Sequence, residues 1–239
     1  MTRARTAAVA ATVAALAAVA APPAGAASYP KIEQLVVFRD GTALQKTATA
    51  KHVTTRVSGR DCTVGAATAM AALVRIKPPS LRLHDYGRCS KRASDAEQLF
   101  VRRMGSDTNK GFDGWVYKVG HKLATAGAAD PGGPFGRGRL KDGQRVIWFY
   151  CRLVQANCQR TLGVKVASPA PGELDVSVRA YDDRGKSIPA SGATVHVGEQ
   201  TATADQFGSA KLNFPPGTYR VWAERDGGIR SFAERIEVE

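Results

Sequence analysis

Past residue 27 the chain contains no apolar run approaching the roughly 20 residues that a helical membrane span requires. It also lacks the short motifs that carry common catalytic chemistry: no G-x-S-x-G nucleophile elbow, no H-E-x-x-H and no phosphate-binding P-loop. No C-x-x-C or comparable close pair offers a zinc site. Histidine is scarce, at His52, His84, His121 and His196. Only His84 has an adjacent carboxylate, Asp85, and adjacency in sequence does not orient an imidazole. Asp182, Asp183 and Asp205 sit in turn-like contexts, and isolated acidic turns do not make a calcium loop. Aromatic residues are few and are not interleaved with the basic ones, which argues against specific nucleic-acid binding. Neither a metal, a cofactor nor an enzymatic activity is expected.

What is present begins with a leader-like segment. Arg3 and Arg5 precede an alanine-rich apolar run, Ala7 to Ala21, which Pro22 and Pro23 terminate. Ala24 and Ala26 then form an A-x-A site, so residues 1–27 read as a cleavable signal peptide and the remainder as a secreted, extracellular protein. Four cysteines, Cys62, Cys89, Cys151 and Cys158, are an even number in an exported chain and predict two disulfides. Three pairings are possible; local pairing, Cys62 with Cys89 and Cys151 with Cys158, is preferred.

Charge divides the chain. Residues 28–163 carry 23 Lys and Arg against 10 Asp and Glu, whereas residues 164–239 carry 9 against 11. All four cysteines fall in the basic part. The expected organisation is therefore a basic, disulfide-bonded domain over 28–163, a linker over 164–172 containing Ser168-Pro169-Ala170-Pro171-Gly172, and a near-neutral domain over 173–239, the two folding independently.

In the first domain Lys31 to Arg39 reads as a strand ended by an Asp40-Gly41 turn, and Val53, Thr55 and Val57 alternate as a second strand. Val64, Ala67, Met70, Ala71 and Val74 recur at helical spacing, which predicts a helix over Thr63 to Ile76 with Thr63 as N-cap and Pro78-Pro79 as its end. Leu81 with Leu83, Leu99 to Met104, and Trp115 to Val119 suggest further strands. Val146 to Cys151 is apolar on both faces, as a central strand is. The order predicts a mainly β fold with one or two helices: a β-grasp-like α+β domain, one sheet with one helix across it. Gly114-Trp115-Val116-Tyr117-Lys118-Val119 followed by Leu140-Lys141-Asp142-Gly143-Gln144-Arg145-Val146-Ile147-Trp148-Phe149-Tyr150 resembles a bacterial extracellular β-grasp family related to the C-terminal domain of transcobalamin and intrinsic factor. Gly120-His121 stands where that family has Asn-Gly, Gln144 replaces its second acidic residue, and the insert Ala124 to Gly138 is long. The resemblance implies the fold rather than the vitamin, because the helical barrel that completes the carriers' ligand site has no counterpart here.

The second domain reads as many short strands. Leu174, Val176, Val178 and Ala180 alternate with polar neighbours, and Ala193 to Val197, Lys211 to Phe214, Thr218 to Glu224 and Ile229 to Val238 follow between turn signals. This predicts an antiparallel β-sandwich. Thr203-Ala204-Asp205-Gln206-Phe207-Gly208 and Pro216-Gly217-Thr218-Tyr219 resemble the carboxypeptidase-regulatory-like, prealbumin-like sandwich family, whose modules usually act as spacers, stabilisers or adhesive units.

The candidate ligand-binding residues are cations: Lys91, Arg92, Arg102 and Arg103, with Arg137, Arg139 and Lys141, joined by Arg145, around the glycine-rich insert. A domain so charged presents a positive field over much of its surface. The expected function is non-catalytic binding at or near the cell envelope, to an anionic cell-wall or membrane-surface polymer. A secreted protease inhibitor displaying the insert or the Cys62–Cys89 loop, and an enzyme with an unrecognised site, are the alternatives.

Overall fold

The computed structural model describes residues 28–239, so the expected signal peptide lies outside the described residues. Strands β1 (Lys31–Val37) and β2 (Ala43–Thr49) form a hairpin. A second hairpin follows, β3 (Val53–Val57) and β4 (Arg60–Val64), then helix α1 (Ala69–Ile76). Next come β5 (Arg82–Asp85), β6 (Leu99–Met104) and β7 (Asp107–Thr108), which form a small antiparallel sheet. Strands β8 (Gly114–Val119), β9 (Lys122–Leu123) and β10 (Arg145–Cys151) complete the first unit. Its main sheet has the order β2-β1-β10-β8-β9, with β1 and β10 parallel at the centre and antiparallel neighbours outside. The long connection between the parallel strands carries α1 across one face, the β-grasp-like arrangement that the sequence predicts.

The helix is shorter than its sequence pattern suggests. Val64 ends β4, and Thr68 rather than Thr63 is the N-cap, its Oγ1 accepting from the Ala71 backbone N at 3.2 Å. Lys77 closes the helix in a left-handed conformation, φ 50°, ahead of Pro78. The apolar residues before Thr68 owe their spacing to a buried strand edge and a turn rather than to a helical face.

Strand β10 shows why its sequence is apolar throughout. Val146, Trp148 and Tyr150 pack in the core beneath α1. Ile147, Phe149 and Cys151 face the other way, against Ile229 and Phe232 of the second unit. Both faces of the sheet are thus covered. The two disulfides pair locally, Cys62 with Cys89 and Cys151 with Cys158, with Cα–Cα separations of 5.2 and 5.1 Å.

The second unit is a sandwich of two four-stranded antiparallel sheets. One contains β11 (Thr161–Ala167), β12 (Glu173–Tyr181), β13 (Ser187–Pro189) and β16 (Ser209–Asn213). The other contains β14 (Thr194–Val197), β15 (Gln200–Thr203), β17 (Gly217–Glu224) and β18 (Glu234–Val238). Leu174, Val176, Val178 and Ala180 point into the space between the sheets to meet Val195, Val197, Val221 and Ala223. The expected linker is different in the structure. Val164–Ala167 belong to β11, which pairs with β12 over seven residues from Thr161↔Tyr181 to Ala167↔Asp175. Only Ser168 to Gly172 connect, as the hairpin turn. Proline there marks the turn of a hairpin, a role that composition does not separate from that of a spacer.

Candidate functional site

The seven candidate cations are all exposed, and among the described residues none has a carboxylate within ion-pair distance. They fall in separate places. Arg137, Arg139 and Lys141 lie in and after the glycine-rich insert, which crosses the start of α1: Met70 N donates to the Ala128 carbonyl and Leu140 N to the Ala67 carbonyl. Arg139 Nε donates to the Pro131 carbonyl at 3.0 Å. Arg145 does not belong with them, being engaged by Glu33 and Glu234.

Lys91, Arg92, Arg102 and Arg103 flank the two ends of the β5–β6 ribbon. Its inner face, Leu83, Leu99 and Val101, joins the core. The outer face follows from the antiparallel register, His84↔Phe100 and Arg82↔Arg103, with a shift between Arg82 and Leu83 that leaves Arg102 as an extra, bulged residue. The bulge allows both Arg102 and Arg103 to reach solvent, where strict alternation would send one inward. The centre of this face is aromatic. Tyr86, 72% exposed, stacks on Phe100 with ring centroids 4.6 Å apart and planes at 4°. His84 meets both rings edge-on, at 4.7 and 5.4 Å.

The loop after Tyr86 is pinned. Asp85 Oδ1 accepts from Gly87 N at 3.0 Å, and Oδ2 accepts from Cys89 N at 2.9 Å and pairs with Arg60 at 3.3 Å. The Asp85 carboxylate therefore builds the loop and does not orient His84. The Cys62–Cys89 disulfide ties the same loop to β4. Exposed Arg88, Lys91 and Arg92 continue from Tyr86 at one end of the ribbon, while Arg82, Arg102 and Arg103 occupy the other. The aromatic centre is not evident in the sequence, because Tyr86 and Phe100 are brought together only by strand pairing.

The contact between the two units is built from charge as well as apolar packing. Lys118 is a β8 residue with no exposed surface. Its Nζ lies 3.1 Å from Asp183 Oδ1 and donates to the carbonyls of Asp182 and Tyr181 at 3.0 and 3.3 Å. Burial pushes its ammonium below the usual value, with Asp183 opposing the shift. Arg145 bridges Glu33 of β1 and Glu234 of β18, and hydrogen bonding to Glu234 raises its basicity. Gln45 clamps the Ala233 backbone, accepting from its N at 2.8 Å and donating to its carbonyl at 3.1 Å. His121 stacks on Tyr181 at 3.5 Å, and burial together with Lys118 and Arg145 lowers its pKa from 6.5.

Several clefts open along this contact. One of about 210 Å³ is lined by His121, Arg145, Thr161, Arg179, Tyr181 and Phe232 among others. Another of about 270 Å³ lies between the β1–β2 turn, the end of β10 and the loop between β17 and β18. Among the described residues no three metal-ligating side chains come together. Comparison of the chain with protein-family models, with curated proteins and with solved structures finds no match.

Proposed function

We propose that this is an exported, non-catalytic protein that binds anionic polymer at the cell envelope, with the β5–β6 ribbon of its basic unit as the contact surface. The observation that carries the reading is the exposed Tyr86–Phe100 stack with unpaired cations at both ends. Aromatic faces give a polymer repeat something to pack on, and the flanking cations attract its charge. The two disulfides suit an oxidising compartment, and no helix among the described residues is long and apolar enough to cross a membrane. The central parallel pair with one helix across the sheet supports the proposed kinship of the first unit with the extracellular β-grasp family. The eight-stranded sandwich supports the corresponding proposal for the second, which then acts as a rigid support.

The test is binding of the intact chain to anionic wall polymer or anionic vesicles as salt is raised. Affinity falls steeply toward physiological ionic strength, where the Debye length is about 8 Å. Tyr86→Ala weakens binding about fivefold, and charge reversal at Lys91, Arg92, Arg102 and Arg103 removes most of it. Equal weakening by reversal at Arg137, Arg139 and Lys141 would replace the ribbon by a diffuse field.

The protease-inhibitor reading has one observation behind it, the exposed Leu153 and Val154 in the loop closed by Cys151–Cys158. That loop is a tight hairpin, with Val154 and Asn157 paired and Gln155 and Ala156 both at positive φ. Strand-like recognition by a partner needs an extended segment, so the observation counts for less than the ribbon.

A further inference from the structure

The 270 Å³ cleft is lined by four arginines, Arg39, Arg152, Arg225 and Arg230, two from each unit. Among the described residues none of the four forms an ion pair, and none of their guanidinium nitrogens has a hydrogen-bond partner. The acids of the lining form no ion pair with them. The Asp40 carboxylate accepts from Thr42 N and Oγ1, at 2.9 and 2.6 Å, and Glu224 Oε1 lies 3.0 Å from His196 Nε2. Asp226 stands exposed at the rim.

Two of the arginines are held in place by rings. Arg230 lies 3.5 Å over Trp222, and Arg39 lies 5.2 Å over Tyr150. Arg230 Nε is buried without a hydrogen-bond partner, and burial lowers its basicity, with the nearby Glu224 carboxylate opposing the shift. Four arginines on one cleft with no ion-pair partner among the described residues make its lining positive, and an anion bound there gains charge-assisted hydrogen bonds.

We propose that this cleft is a binding site for a phosphoryl group, held by Arg39, Arg152, Arg225 and Arg230 across the junction of the two units. A guanidinium offers five N–H donors in a planar fork. A carboxylate has two oxygens and one charge and would leave most of that capacity unmet, whereas a phosphoryl group brings more oxygens and accepts bidentate pairs from several arginines at once. The phosphoryl group is either free phosphate or one unit of a phosphodiester polymer. The site does not rest on the ribbon, because it lies on different elements and draws half its charge from the acidic unit.

The experiment titrates the intact chain with inorganic phosphate, a glycerol-phosphate oligomer, sulfate or acetate at constant ionic strength, read by calorimetry and by the Trp222 indole resonance. Saturable one-to-one phosphate binding is expected, with sulfate competing and acetate not. Arg152→Gln and Arg225→Gln each weaken it about tenfold, as loss of a charge-assisted hydrogen bond does, while Lys51→Gln, at an exposed cation outside both proposed sites, leaves it unchanged. Tighter binding of the oligomer at the same site identifies the polymer as the source, and binding of phosphate alone identifies the free ion. Because Arg230→Gln also removes the Trp222 stack, its thermal unfolding is followed alongside. Arg152 and Arg225, which stack on no ring, decide the outcome. No saturation by about 50 mM phosphate, well above a millimolar dissociation constant, would overturn the proposal. So would equal weakening by Lys51→Gln, or indifference to Arg152→Gln and Arg225→Gln.

Discussion

Replacing Lys118 by Met tests whether the two units are joined by a buried charge. The side chain keeps its length and loses its ammonium, so Asp183 loses its ion pair while the carbonyls of Tyr181 and Asp182 lose their donor. Breaking a fully buried pair by removing one partner costs about 3–5 kcal/mol. Here Asp183 remains 17% exposed and still accepts from Cys158 N at 3.0 Å, so the expected cost is smaller, about 2–3 kcal/mol. For a chain of this size that corresponds to a fall in melting temperature of about 5–10 °C. The double variant Lys118→Met, Asp183→Asn removes both charges and recovers part of the loss, because burying the ammonium is itself costly. The assay is urea unfolding followed by tryptophan fluorescence and circular dichroism, with both disulfides intact. A cost below about 0.5 kcal/mol for Lys118→Met, or strict additivity in the double variant, would refute the reasoning.

Other outcomes follow from the same contacts. The lowered pKa of His121 means that the unfolded chain takes up a proton near pH 6.5 while the folded chain resists, so stability falls as pH drops below that value and levels off once the folded group titrates. Urea midpoints from about pH 8 to about pH 4.5 should show this for the natural chain and lose that component in His121→Phe. Gly163→Ala places a Cβ 2.9 Å from Tyr181 Cε2 and 3.0 Å from His121 Cε1, so it should disturb the stacked pair and lower the melting temperature by several degrees. Gly208→Ala should destabilise more, by at least about 2 kcal/mol, since its φ is +78° and the new Cβ would collide with the Val178 carbonyl oxygen. A fragment of residues 160–239 should give a cooperative melt and dispersed amide signals, whereas residues 170–239, which lack β11, should not.

The strands most easily read from the sequence are those with one uniform environment. β12 alternates because one face meets the opposing sheet and the other does not, and β10 is continuous because both faces are covered. What the sequence hides is equally physical. β2, Ala43–Thr49, is an edge strand with several exposed residues and no clear alternation, so its identity depends on pairing with β1. The helix pattern runs on into β4 because Val64 is buried for a different reason. Of the candidate site, the cations are legible as residues but not as positions. That Lys91 and Arg103 lie at opposite ends of one ribbon depends on a register with a bulge, and that Tyr86 meets Phe100 depends on the same register. The arginines of the junction cannot be grouped from sequence at all, since Arg39 and Arg230 come from opposite ends of the chain.

The charge division also changes meaning once the units are in contact. Along the chain, an excess of cations before residue 163 and a slight excess of acids after it suggests two surfaces with different partners. In the folded chain part of that contrast is internal: Lys118 meets Asp183 and Arg145 meets Glu234, cation from the first unit and acid from the second in both cases. These pairs orient the sandwich against the open face of the sheet, where Ile229 and Phe232 complete the apolar layer. The same docking puts Arg225 and Arg230 on one cleft with Arg39 and Arg152, where no acid lies within ion-pair distance of them. Complementary charge at one end of the junction and unanswered charge at the other are consequences of one orientation, so a variant that loosens the Lys118–Asp183 pair should weaken phosphate binding without touching any arginine of the cleft.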